Sequence, residues 1–280
     1  MKQSNVWTIS VALLGALIAG LYWWQLQERT GPPNPSAASA ASAPAPVIVQ
    51  SPAASAPPVI QYPMLAEAPP APAGSAPMAK APPTFEESLV EALGEKAVLQ
   101  WLNVDALAHR VVVTVDNLTR PHAPARYWPV HPTPGRFTTV PGAEADAIAP
   151  ENAKRYVPFV AWVESLDSKR VVALYRRHYG LFQTAYENLG YPGRYFNDRL
   201  IEVIDHLLAT PVPAEPIAVR MARVKGPIEP ARPWVLNEFA NEADEERSAG
   251  QKWLMRIGND NAKRLQIKLR ELRAELTRRR

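Results

Sequence analysis

Proline is distributed so unevenly along this chain that it decides where a core can form. Of the 30 prolines, 15 fall within residues 31–84, together with 16 alanines and only two charged residues, Glu67 and Lys80. Proline lacks the amide donor that helices and sheets need, and this stretch has too few large apolar side chains to bury enough surface to fold. We therefore predict a disordered Pro/Ala/Ser-rich linker over residues 28–84 and one globular domain over residues 85–280.

An uncharged apolar run that is long enough to cross a membrane precedes the linker. Val6 to Leu26 carry no charge over 21 positions, and aromatic side chains lie at both ends. A helix of that length spans the ~30 Å hydrocarbon layer, and aromatic rings favour its interfaces. We predict a transmembrane anchor over residues 1–27. A cleaved signal peptide is the alternative, but its apolar region is shorter and small residues follow it closely.

Few charges decide the orientation of this anchor. Lys2 and the amino terminus precede it, whereas Glu28 and Arg29 after it nearly cancel. The positive-inside rule then places the N-terminus in the cytoplasm and the C-terminal domain in the periplasm, at the inner membrane of a Gram-negative bacterium. We expect no nucleic-acid partner there. The reversed topology, with the basic domain binding nucleic acid in the cytoplasm, is the alternative.

Residues 85–280 are dominated by helical patterns. Spacings of three and four between apolar residues predict helices near 85–93, 95–102, 105–118, 151–165, 168–189, 196–209, 242–257 and 260–277. Strand patterns predict small pairs, formed by 136–140 with 147–149 and by 217–224 with 234–239. The fold class is therefore mainly α, with one or two small β-hairpins.

Several sequence stretches of this region resemble one bacterial family. They are RYVPFV (155–160), YRRHYGLFQTAYENLGYP (175–192), YPGRYFNDRLIEVIDHLLATP (191–211), VLNEFA (235–240) and SAGQKWLMRIGNDNAKRLQIKLRELR (248–273). In these stretches, and over most of residues 85–276, the chain resembles the family of domain of unknown function 3014. Its members look similar in layout, with a membrane segment, a Pro/Ala linker and a C-terminal domain. The family has no assigned activity, so the resemblance implies no catalytic residue.

One predicted helix carries a group of polar residues at helical spacing: Asp198, Arg199, Glu202, Asp205 and His206. Carboxylates and an imidazole on one face could bind a divalent metal or transfer protons. No second cluster of ligands with defined spacing accompanies them. A solvated face with Arg199–Glu202 and Glu202–His206 pairs is the alternative, and we expect no metal, no cofactor and no catalytic residue.

An aromatic turn precedes the same helix. Tyr191, Tyr195 and Asn197 lie where a carbohydrate or peptide groove would need aromatic platforms beside polar groups. In the alternative interpretation, Asn197 or Asp198 caps the helix and the aromatic rings fill the core.

The linker contains a loose duplication, SAPAPVIVQSP (42–52) and SAPPVIQYP (55–63). One interpretation is a pair of short segments that add a strand to the sheet edge of a partner. The other is chance similarity within low-complexity sequence.

The layout of the chain determines the function that we expect. We expect a single-pass inner-membrane protein that contacts the membrane through Val6 to Leu26. Its tethered domain would bind or scaffold an envelope protein or polymer that the sequence does not identify. The alternative is a cell-envelope enzyme that uses the carboxylates near Asp198 to Asp205.

Overall fold

The computed structural model describes residues 59–64, 83–213, 216–222 and 237–278. The predicted transmembrane anchor and most of the predicted linker lie outside the described residues. Within the described ranges, no helix is both long enough and apolar enough to cross a membrane.

Ten α-helices, one short 3-10 helix (Ala125–Tyr127) and one four-stranded sheet make up the described part of the domain. The helices are α1 (Phe85–Leu93), α2 (Glu95–Trp101), α3 (Leu107–Leu118), α4 (Glu151–Ser165), α5 (Ser168–Arg177), α6 (Tyr179–Asn188), α7 (Phe196–Leu208), α8 (Glu242–Glu245), α9 (Ala249–Arg256) and α10 (Asn259–Thr277). The strands are β1 (Thr139–Val140), β2 (Asp146–Ile148), β3 (Ala218–Met221) and β4 (Asn237–Phe239). The prediction of a mainly helical domain is confirmed.

The two predicted strand pairs belong to one antiparallel sheet of order β1-β2-β3-β4. β1 pairs with β2 and β3 pairs with β4, as the sequence predicts. The two pairs join because β2 also pairs with β3, with Asp146 opposite Val219. Phe239 of β4 packs with Ile217 and with Met255 of α9 in a buried apolar cluster, so the sheet is anchored to the helical part of the domain.

Local sequence signals set several helix boundaries. Thr84 and Glu87 form a capping box, in which each side chain accepts the backbone N–H of the other, at 3.1 and 2.8 Å. Gly94 ends α1 and Gly258 separates α9 from α10, with φ values of 82° and 91°. A residue with a β-carbon rarely adopts such a φ, so glycine fits both turns.

The single helix predicted over residues 168–189 is in fact two helices. His178 adopts φ −108° and ψ 19°, which ends α5 at Arg177 and lets α6 begin at Tyr179. Gly180 in the first turn of α6 also disfavours a continuous helix. The break allows α5 to pack against α10 while α6 packs against α3.

Helix α7 lies at the centre of the domain and carries the predicted site residues. Phe196 packs in one apolar cluster with α3 and α6, and Val203 packs in a second with α4, α9 and α10. Ile201 and Ile204 belong to a third cluster, with α5, α6 and α10. Because three clusters contact α7, its first turn is a fixed platform for the side chains that project from it.

Candidate functional site

Residues 59–64, which we predicted as linker, lie against the first turn of α7. The N–H groups of Gln61 and Tyr62 donate to the two carboxylate oxygens of Asp198, at 2.9 and 2.8 Å. The backbone bends at Gln61 and Tyr62, which turns two successive N–H groups towards one carboxylate. Asp198 lies in the first turn of α7, where the helix dipole also favours a negative charge.

Two more side chains of α7 and its N-cap bind the main chain of this segment. The Nδ2 group of Asn197 donates to the carbonyl of Tyr62 at 2.9 Å. The Tyr195 hydroxyl accepts the N–H of Met64 and donates to the Met64 carbonyl, the latter at 3.1 Å. Tyr195 itself is the N-cap residue of α7, so neither Asn197 nor Asp198 caps the helix. Both residues instead bind the docked segment.

Met64 and Tyr62 are the side chains of the segment that the domain buries. Met64 is 8% exposed and packs in the third apolar cluster, whose other buried members are Val172, Tyr179, Ile201, Ile204 and Leu276. Tyr62 is partly buried against the same cluster, whereas Gln61 and Pro63 are exposed. We call the surface formed by Tyr195, Asn197, Asp198 and this cluster the segment groove.

Arg273 of α10 borders the groove beside Tyr62. The pKa of Arg273 is raised, chiefly by its hydrogen bond to Asp205 and to a smaller degree by the phenol of Tyr62. Asp205 accepts from Arg273 at 2.9 Å. An Asp205–Arg273 ion pair therefore forms one side of the groove, and local patterns did not reveal it because the two residues are 68 positions apart.

The floor of the groove is held in place by contacts within the domain. Tyr179 accepts the N–H of Asn197 at 3.3 Å and donates to Gln183 at 2.8 Å. Burial raises the pKa of Tyr179 well above its ordinary value, so the phenol keeps the proton that it donates. The ring centroids of Tyr179 and Tyr195 lie 5.2 Å apart. These contacts hold the backbone of Asn197 and the ring of Tyr195 from within the domain.

The polar residues predicted on one face of α7 bind different partners. Asp198 binds the segment and Asp205 binds Arg273, as described above. Glu202 accepts from Arg199 at 2.7 Å, which is the pair that the sequence predicted. His206 Nε2 lies 2.8 Å from Ser248 Oγ rather than beside Glu202. Among the described residues, no group of three or more histidine or carboxylate side chains could hold a metal ion.

A buried network centred on Asp116 joins α3 to α7, and Asp116 was not among the residues predicted from the sequence. The Asp116 carboxylate accepts from Arg199 at 3.1 Å, from Arg120 at 2.6 Å and from the Tyr191 hydroxyl at 3.2 Å. Tyr191 therefore lies in this network and not with Tyr195 and Asn197, so the three predicted groove residues are split. An acidic residue within the apolar run VVVTVDNL (111–118) was the available signal.

Residues 59–63 of the docked segment belong to the second copy of the linker duplication, and Met64 directly follows that copy. The segment binds side chains of its own domain, and addition of a strand to the sheet edge of a partner stays a prediction. The first copy lies outside the described residues. In the sequence, Ser51 and Ala53 occupy the positions of Tyr62 and Met64, so the first copy lacks both buried anchors.

A cavity of about 900 Å³ lies elsewhere on the domain, lined by Trp101, Tyr156, Phe159 and Trp253 among others. Two of the charged groups that line it are paired within the described residues. Lys252 donates to Glu245 at 2.9 Å, and Arg155 donates to the carbonyls of Pro134 and Gly135 at 2.9 and 3.1 Å. The buried Nε of Arg256, in contrast, has no partner among the described residues. The cavity presents mainly aromatic surface, whereas a segment of the chain itself occupies the segment groove.

Comparison with known proteins identifies a family but no activity. Residues 107–273 match the family described as protein of unknown function (DUF3014). No curated protein and no solved structure matches this sequence. The matched region runs from the start of α3 into α10 and includes Tyr195, Asn197 and Asp198. Because the match covers more than half of the chain, this protein is a member of the DUF3014 family.

Proposed function

We propose that this chain is a membrane-tethered binding protein of the cell envelope whose domain recognises a short peptide segment. The observation that supports the proposal is the capture of residues 59–64 by Tyr195, Asn197 and Asp198. These side chains bind backbone groups, which gives affinity for a segment of suitable shape. The burial of Tyr62 and Met64 gives selectivity for its sequence.

The surroundings of the groove favour binding over catalysis. Asp198 is occupied by two N–H donors, and Asp205 and Glu202 are each paired with an arginine. A general acid or base needs a carboxylate or imidazole within reach of a substrate proton. The carboxylates of α7 are instead engaged in separate hydrogen bonds and ion pairs, so we propose a binding role for this face.

Peptide recognition can be measured once the internal segment is weakened. The variant Tyr62→Ser/Met64→Ala copies the first linker repeat into the second, and we call it the open-groove variant. We expect full-length open-groove protein in detergent to bind a labelled peptide of residues 55–66 in a saturable manner, measured by fluorescence anisotropy. Adding Asp198→Ala should weaken binding at least about tenfold, because it removes two hydrogen bonds to a charged acceptor.

Two matched controls make this measurement specific. Glu202→Ala changes an exposed carboxylate of the same helix that does not contact the segment, and it should leave the affinity unchanged. A peptide of residues 44–55, the first repeat, should bind much more weakly because it lacks the tyrosine and methionine anchors. Absence of saturable binding to the open-groove variant would refute peptide recognition.

The membrane topology is a separate part of the proposal. Lys2 precedes the uncharged run Val6 to Leu26, so we propose a cytoplasmic N-terminus and a periplasmic domain. Alkaline phosphatase fused after Arg280 should be active, and green fluorescent protein at the same position should be dark. The opposite pair of results would favour the cytoplasmic alternative.

A further inference from the structure

We infer that residues 59–64 are an internal ligand, which blocks the segment groove until a partner peptide of aromatic–proline–apolar sequence displaces it. The inference rests on the proposed function, because it assigns a regulatory role to the same groove. It treats the contact between linker and domain as reversible and not as a permanent part of the fold.

The segment buries few of its side chains. Val59 is 86% exposed and Ile60 is 49% exposed, so only Tyr62 and Met64 bury side-chain surface. The domain itself, in contrast, holds the backbone of Asn197 and the ring of Tyr195, since Tyr179 binds the N–H of Asn197 and packs beside Tyr195. The segment can therefore leave without removing the support of the groove.

Within the described residues, the segment leaves polar atoms of the groove without partners. Asn197 is 0% exposed, and its Nδ2 donates to Tyr62, yet its Oδ1 has no hydrogen-bond partner among the described residues. The buried hydroxyl of Tyr175, in the same apolar cluster, also has none within the described ranges. Buried polar groups are normally paired, so a ligand that donates to Asn197 Oδ1 would complete the site better than the internal segment does.

The connection between segment and domain is short in sequence. Eighteen residues, 65–82, join Met64 to Pro83. Two sites joined by so few residues of one chain meet at an effective concentration on the order of millimolar, so even weak contacts keep the groove occupied. A partner peptide must therefore bind more tightly than the segment or be presented at high local concentration.

The test follows release of the segment directly. The chain has no cysteine, so Gln61→Cys supplies a single thiol at an exposed side chain whose residue contributes only its backbone N–H. A spin label there should change from a restricted to a mobile spectrum when unlabelled 55–66 peptide is added to full-length protein. At saturation, the spectrum should match that of the labelled open-groove variant. The apparent affinity of the parent chain should be about tenfold or more below that of the open-groove variant.

Each contrary result has a distinct meaning. If the peptide saturates the open-groove variant but leaves the label on the parent restricted, the segment is a permanent part of the fold and the inference is overturned, while peptide recognition stands. Equal peptide affinities of the parent and the open-groove variant would also overturn it, because the groove would not be blocked. If the open-groove variant binds no peptide, the proposed function fails and the inference fails with it.

Discussion

Replacing Asp116 with alanine is expected to lower the free energy of unfolding by about 3 kcal/mol, because the change removes the buried carboxylate of the network and leaves the partly buried Arg199 with only the exposed Glu202 as an acidic partner. The Asp116 side chain is 5% exposed, and that of Arg199 is 17% exposed. Arg120, at 49% exposed, can turn to solvent, but Arg199 cannot do so without leaving its place between α3 and α7. The melting temperature of the full-length chain should fall by roughly 6–12 °C.

Glu202→Ala is the matched control, because it removes the other acidic partner of Arg199. Burial opposes the charge on Arg199, yet the hydrogen bond and charge of Glu202 and the charge of Asp116 outweigh it and raise the pKa of Arg199. Glu202 is 65% exposed, so solvent screens its contribution and its loss should cost less than about 0.5 kcal/mol. Similar losses for the two variants in thermal and urea unfolding would show that Asp116 is not the buried centre of the network.

Gly250→Ala is expected to destabilise the domain by about 1–3 kcal/mol, although alanine normally favours a helix over glycine. Gly250 lies in α9, where an added Cβ would be 2.6 Å from a methyl carbon of Leu207 and 2.9 Å from the carbonyl oxygen of Leu118. The Leu207 methyl can move, but the Leu118 oxygen belongs to the backbone of α3. The added carbon therefore has to push α9 away from α3.

Gly180→Ala tests the same substitution where space is available. Gly180 lies in the first turn of α6, is exposed, and an added Cβ would meet nothing within 4 Å among the described residues. Here the helix preference of alanine should raise the free energy of unfolding by about 0.5 kcal/mol. The two variants should thus change the urea midpoint in opposite directions. A stabilising Gly250→Ala would contradict the close approach of α9 to α3.

The sequence predicts those elements whose signals are local. Three such signals are the capping box at Thr84, the turn at Gly258 and the apolar spacing of α7. Each involves only residues that are close in sequence, so each could be recognised from the sequence alone. The break at His178 was not predicted, because the apolar spacing continues through it. Helices α5 and α6 are separate because they pack against different helices. The spacing of apolar residues along one segment carries no information about such packing partners.

Local features of the sequence also pointed to residues of the segment groove. An aromatic turn led to the prediction of a carbohydrate or peptide groove with Tyr195 and Asn197, and helical spacing led to the prediction of a polar face with Asp198. Both roles stay predictions. The contact of these residues with the docked segment was not predicted, since Tyr62 is 136 positions away from Asp198 in the sequence. Tyr191 was assigned to the groove by its position in the chain, but Asp116, 75 positions away, holds it elsewhere. Pairing over such distances depends on the tertiary fold.

Docking of residues 59–64 also changes how far the domain can travel from a surface to which the N-terminus is fixed. Fully extended as polyproline, residues 28–84 would span about 180 Å, whereas residues 28–58 alone would span about 95 Å. The docked segment is attached to α7, so on the anchored chain that we propose only the shorter stretch separates the membrane from the domain. Release of the segment would roughly double that limit. A peptide that occupies the groove would thereby let the domain reach a region of the envelope that is out of range while the segment is docked.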